Sequence, residues 1–211
     1  MSTERIITSD ACIAEGVAAL RSLEPKFEVA LESIGPIPLR LREDGFPALL
    51  KGIVSQQLSV ASADSIWKKL TEANLTEAPS IQRASEEDLR GCGLSGPKIR
   101  YALALAESNV DFDGLRERSS EEVIAELVSI KGIGRWTAEI YLMFSLGRAD
   151  VLAAGDLALQ ESARALFDLK ERPGEKELAA LAERWSPWRS VAARILWSYY
   201  RVIKNREGVT S

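Results

Sequence analysis

The chain has 211 residues, 46% of them apolar and 27% charged, with a net charge of −4 and no histidine. That balance marks a folded globular protein, and no apolar run reaches the roughly 18 residues that a bilayer crossing needs. Without histidine there is no Ser-His-Asp triad and no His-ligated zinc, so catalysis would rest on carboxylates, lysines or bound water.

The opening "MSTERIITSD" lacks the apolar core of a secretory signal, so an intracellular, cytoplasmic protein is expected. Thr8, Ser9 and Asp10 form a start signal for a first helix, which the Pro25 region stops. "GPIPLRLREDGFP", Gly35 to Pro47, is the most loop-like stretch and reads as a crossing between two lobes. Helical periodicity resumes over Phe46–Leu58 and Ser62–Leu70, with capped segments near Ser80 and at Ser85-Glu86-Glu87-Asp88. A Gly/Pro turn leads into a further helix near Pro97. Cys12 and Cys92 match no zinc, disulfide or four-cysteine cluster framework. No alternating strand pair appears, so the expected fold is all-α.

Ser119-Ser120-Glu121-Glu122 is a capping box, and Val123, Ile124, Leu127 and Val128 give the following helix its apolar face. "KGIG", Lys131 to Gly134, ends that helix, and the next begins at once with Trp136, Ile140, Met143 and Phe144 at helical spacing. A turn this short makes a helical hairpin. Its glycines also serve any tight connection, but they let the N–H groups at the second helix's N-terminus face outward, where phosphate would be favoured. About twenty residues later Asp156 stands alone in an apolar run, placed to N-cap the helix "LALQESARALF".

Charge is unevenly spread. Residues 170–211 carry nine Lys/Arg against five Asp/Glu, a balance of +4, which leaves −8 for the first 169. Arg184 to Arg206 holds six basic residues, no acidic one and five Trp/Tyr. Such a stretch suits phosphates and unstacked bases, and equally a basic C-terminal helix with core aromatics.

Taken together, "LVSIKGIGRWTAEIYLMFSLGRADVLAAGDLALQ", "FPALLKGIVSQQLSVASADSIW", "GLSGPKIRYALALA" and "WSPWRSVAARILW" resemble the helix–hairpin–helix DNA glycosylase superfamily, and within it the 3-methyladenine DNA glycosylase II branch. Two departures stand out: the loop reads Ala154-Gly155-Asp156 where a proline often precedes the acid, and Lys131 replaces a proline before Gly132. The resemblance implies an all-α protein of two helical lobes with an active-site cleft between them and no extra β domain. The expected boundaries are 1–36 plus 167–211 for the terminal lobe and 37–166 for the hairpin lobe.

The resemblance also implies roles. Asp156 would stabilise positive charge on the deoxyribose and orient water, Trp136, Tyr141 and Trp197 would line the lesion pocket, and Gln57 with Leu58 would be the wedge filling the space of an extruded base. Lys131, Gly132, Ile133, Gly134, Arg135 and Thr137 would hold phosphates, and the carbonyls of Val128, Ile130 and Ile133 would hold a monovalent cation when DNA is bound. No other cofactor is implied. Bifunctional relatives carry a lysine two positions beyond the second hairpin glycine, and here that position is Trp136, so no strand cleavage is expected. The expected function is thus a monomeric, monofunctional bacterial glycosylase hydrolysing alkylated bases from damaged duplex DNA. Alternatives are a glycosylase for oxidised or deaminated bases and a non-catalytic DNA-binding module.

Overall fold

The structure, a computed structural model, describes residues 4–209. Residues 1–3 and 210–211, at the ends of the expected terminal lobe, and the Arg206 side chain lie outside the described residues. In chain order the helices are α1 (Asp10–Leu23), α2 (Lys26–Ser33), α3 (Phe46–Ser55), α4 (Val60–Glu72), α5 (Ala78–Arg83), α6 (Glu86–Gly91), α7 (Gly96–Glu107), α8 (Ser120–Ser129), α9 (Arg135–Phe144), α10 (Leu157–Leu166), α11 (Glu175–Ala182) and α12 (Arg189–Val209). Among the described residues the sole β feature is an antiparallel bridge between Ile6 and Arg148. No described helix is long and apolar enough to cross a membrane.

Local chemistry sets these boundaries. The Ser119 hydroxyl accepts the Glu122 N–H at 3.4 Å while the Glu122 carboxylate accepts the Ser119 N–H at 2.9 Å, a reciprocal cap that starts α8. Ser85 and Asp88 do the same for α6, at 3.1 and 3.0 Å. Pro25 does stop α1, but it also opens α2, because a fixed φ is tolerated at a helix start. α3 ends three residues earlier than its periodicity suggests: Gln57 adopts φ +57° and breaks the ladder.

The chain forms two compact units. The first is continuous, Arg42–Tyr141. Its core joins α3, α4 and α7, with α5 and α6 against α7. Leu49, Leu50, Ile53, Leu70, Ile81, Leu89 and Ile99 are buried there. Each such side chain contributes about 1.5–3 kcal/mol relative to exposure.

The second unit combines residues 4–41 with 142–209. α12 packs on α1, α2 and α10. Phe27, Phe167 and Trp185 form its aromatic centre, with ring centroids 5.3–5.8 Å apart. Ile7 N–H donates to Gly147 O at 2.7 Å, and Gly147 is required there: its φ is +71°, and a Cβ would lie 2.6 Å from the Ile7 carbonyl oxygen. The expected lobe boundary after residue 166 is therefore corrected to residue 141. α10 belongs with the terminal segments because it packs on α12, where buried Ser162 donates to Leu196 O at 2.8 Å.

Arg194 stands out in this unit. It is 3% exposed, and it donates to the carbonyls of Ser190 at 2.9 Å, Met143 at 3.1 Å and Leu39 at 3.5 Å. Burial, with Arg40 adding like charge, pulls its guanidinium down to about 10.

Candidate functional site

Asp156 is the N-cap of α10. Its Oδ1 accepts the N–H groups of Ala158 at 2.9 Å and Leu159 at 3.1 Å, and also the indole N–H of Trp197 at 3.1 Å. Two backbone donors and one ring donor converge on this one oxygen and hold it at the helix N-terminus. Trp197 lies against Phe144, with centroids 5.8 Å apart and planes at 34°. The Arg194 guanidinium sits 4.6 Å over the Phe144 ring.

The loop that carries Asp156 is pinned along its length. Asp150 takes a two-pronged grip from Arg189, Nε at 2.7 Å and a terminal nitrogen at 2.9 Å, and accepts the Ser186 hydroxyl at 2.7 Å. Burial opposes the charge on Asp150, but Arg189 and Ser186 outweigh it and hold the carboxyl below the usual range. The Ser190 hydroxyl accepts Val151 N–H at 3.3 Å and lies within 2.8 Å of the carbonyls of Arg148 and Val151. Gln160 Nε2 donates to Ala154 O at 2.9 Å, just before the acid.

The first unit carries the hairpin. α8 ends at Ser129 with Ile130 as its C-cap, Ile133 N–H closes the turn onto Ile130 O at 3.0 Å, and Ala138 N–H donates to Gly134 O at 3.1 Å as α9 begins. Gly132 has φ +97°, and a Cβ there would overlap the Tyr101 ring, so the residue must be glycine on two counts. Lys131 and Gly134 are exposed; Ile133 and Thr137 are buried, and the Ile133 N–H is taken up by the turn. Arg135 is paired with Glu139 at 2.9 Å and Glu121 at 3.5 Å. Trp136, in the first turn of α9, is 47% exposed.

Tyr141 is only 4% exposed, and its hydroxyl oxygen accepts the Gly45 N–H at 3.0 Å. Burial pushes this phenol up to about 12, the Gly45 bond opposing the shift. It holds the start of α3.

Gln57 and Leu58, the expected wedge, occupy a tight turn, Ser55–Leu58, closed by Leu58 N–H to Ser55 O at 3.3 Å. Gln56 at φ −55°, ψ 128° followed by Gln57 at φ +57° is type II geometry. Gln57 and Leu58 are exposed. Half-buried Gln56 donates through Nε2 to Gly132 O at 2.9 Å, and Lys98 Nζ donates to Val54 O at 2.6 Å just before the turn. Burial lowers the Lys98 ammonium below its usual value.

The structure thus brings Asp156 to Trp197 in one unit, and the wedge turn to the hairpin in the other. Phe144, Arg194, Gln56 and the Asp150–Arg189 pair had no distinguishing signal in the sequence. The basic terminal stretch reads differently once its partners are known. Arg184 pairs with Glu24 at 2.8 Å, Arg189 serves Asp150, Arg194 is buried, and Trp185 and Trp188 are core residues. Three of the stretch's six basic side chains are thus paired with carboxylates or buried, which leaves fewer for an external anion than their number suggests.

The HhH-GPD superfamily of base excision DNA repair proteins matches residues 50–187. The alkylbase DNA glycosidase-like protein mag2 of Schizosaccharomyces pombe is 31% identical over 190 residues, covering 84% of this chain and 89% of that protein. The structure of the 3-methyladenine DNA glycosylase Mag1 of the same yeast, in complex with abasic DNA, superposes with a TM-score of 0.74 at 31% identity, covering 87% of this chain and 95% of that one. A Bacillus halodurans DNA-3-methyladenine glycosidase gives a TM-score of 0.79 at 30% identity, covering 97% and 95%.

Proposed function

Because the chain belongs to the HhH-GPD superfamily of base excision DNA repair proteins, we propose that it is a monofunctional DNA glycosylase that hydrolyses the N-glycosidic bond of alkylated bases flipped out of duplex DNA. The observation that carries the mechanism is Asp156, whose carboxylate is fixed by two helix N–H groups and the Trp197 indole. As the base departs, positive charge builds on the sugar. A carboxylate about 4 Å away stabilises that charge by about 4 kcal/mol at an effective dielectric near 20. The same group orients the attacking water.

The rest of the barrier is lowered by the substrate. A base alkylated at a ring nitrogen already carries positive charge and leaves without being protonated, so a chain with no histidine lacks nothing it needs. Cationic bases are also drawn to the faces of tryptophan, the ring type of Trp136 and Trp197. Relatives named as 3-methyladenine glycosylases support this substrate class over oxidised or deaminated bases.

The hairpin holds the lesion strand through the N–H groups at the start of α9. At the C-terminal end of α8, the carbonyls of Val128 and Ile130, with that of Ile133, would hold a monovalent cation. Hard oxygen donors at the negative end of a helix fit such an ion, though Ile130 O is shared with the Ile133 N–H. The ion would supply charge for a phosphate and takes no part in bond cleavage.

Trp136 stands where a lyase would carry its lysine, and Lys131 precedes the hairpin glycines, so the product is an intact abasic strand. Incubating the protein with duplex DNA containing 7-methylguanine should release the free base and leave a strand that breaks only with alkali. A protein–DNA adduct trapped by borohydride and dependent on Lys131 would overturn the monofunctional assignment. Release from 8-oxoguanine DNA in preference to 7-methylguanine DNA would overturn the substrate class.

A further inference from the structure

Gln56 and Gln57 are adjacent and chemically identical, yet the structure separates their tasks. Gln57 is exposed at the left-handed position of the turn; Gln56 is half-buried and donates to the carbonyl of Gly132, the first glycine of the hairpin. That carbonyl is a rigid acceptor, because the Gly132 backbone lies against the Tyr101 ring too closely for any Cβ. α3 approaches α9 at a second point, where a Cβ on Gly52 would be 3.5 Å from Thr137 Cγ2. Lys98 also fastens the Val54 carbonyl at the base of the turn.

We propose that Gln56 is a positioning residue that couples the hairpin to the wedge turn, so that seating the hairpin on a phosphate sets where Gln57 enters the base stack. The proposal rests on the glycosylase reading above. The backbone that grips a phosphate and the turn that carries the wedge share one hydrogen bond, which a phosphate-bound hairpin holds in a fixed direction. Loss of that donor leaves both parts present but unregistered. Extrusion from a paired site, which needs wedge insertion in step with the grip, then suffers, while a lesion in a single strand, with no partner base to replace, does not.

The test uses the full chain and three variants: Gln56→Ala, Gln56→Glu, which keeps shape but cannot donate, and Lys98→Met, which loosens the turn without touching the hairpin. Single-turnover excision is measured on 7-methylguanine in duplex and in single-stranded DNA. Wedge insertion is followed by 2-aminopurine fluorescence opposite a tetrahydrofuran abasic site. We expect duplex excision to fall about tenfold in both Gln56 variants, the loss typical of one hydrogen bond to a fixed acceptor. Single-strand excision should stay within about twofold, and the fluorescence change should shrink. Lys98→Met should show the same preference and carries the test if a Gln56 variant does not fold. Equal losses on both substrates, or an unchanged fluorescence signal, overturn the coupling. A wild-type chain that excises from neither substrate overturns the glycosylase reading, and the coupling with it.

Discussion

The hairpin and the acid loop are held by opposite means. Around the hairpin the functional groups are backbone N–H donors and exposed side chains, fastened by a few side-chain-to-carbonyl bonds such as Gln56 to Gly132. The acid loop is internal: Asp150, Val151, Ala154 and Asp156 are each tied by a named partner, and the carboxylate takes three donors on one oxygen. On the function proposed above, a grip that accepts any DNA sequence works through groups common to all residues and tolerates adjustment. A charge that must face a developing cation loses its effect when displaced, and effective placement is within about 0.5 Å. Changes in the first region should therefore alter binding and extrusion from duplex, and changes in the second should slow excision from duplex and single strand alike.

The largest effect is expected from Asp156→Asn. It keeps the shape and the caps but removes the charge, so excision should drop by about three orders of magnitude while lesion-duplex affinity, read by fluorescence anisotropy, is retained. Excision within tenfold of wild type would break the comparison at its strongest point. Next comes Gly132→Ala, where the added methyl meets Tyr101 in a left-handed backbone. Duplex affinity should fall by about 10–100-fold, and because the acceptor of Gln56 shifts with the backbone, single-turnover excision from duplex at saturating enzyme should fall by about tenfold while single-strand excision is much less affected. Trp197→Phe retains a ring against Phe144 but loses the donor to Asp156, and should slow excision about tenfold at unchanged affinity.

The smallest effect is a pH dependence. The folded-state pKa of Asp150 is depressed, so its contribution to stability is fully present above the unfolded value of about 3.9 and is lost as pH falls through the folded value below it. Melting curves of wild type and Asp150→Asn should therefore differ at neutral pH and converge below about pH 4. Curves that stay equally far apart there would remove the Asp150–Arg189 pair from the account of what steadies the loop.

Much of the molecule was legible because its signals are local. The Ser119–Glu122 cap, the two hairpin glycines and the N-cap acid each lie within a few residues of what they control, and they stand where the sequence puts them. Long-range partners were not legible. Arg184 finds Glu24 across 160 positions, so counting charges in the terminal stretch overstated what it offers a phosphate. The sequence points to a lobe boundary at residue 166, whereas α10 belongs with the terminal unit because the face that claims it is on α12, further along the chain. Gln56 was invisible for another reason: one positive φ at Gln57 separates two like neighbours, and composition carries no trace of it.

Arg194 has a consequence for how the chain is assembled. The terminal unit is interrupted by an excursion from residue 42 to residue 141, and the buried guanidinium bonds to carbonyls at both ends of it, Leu39 and Met143. A flexible excursion of that length costs about 4 kcal/mol of chain entropy to close. Arg194 is thus a non-covalent clasp at its neck, where an extracellular protein could use a disulfide. During synthesis the ribosome delivers the clasp late, and Trp197, which steadies the acid, three residues later still. A growing chain therefore owns a finished hairpin about fifty residues before it owns a fixed carboxylate, so that on the proposed function its means of holding DNA would precede its means of cutting a base from it.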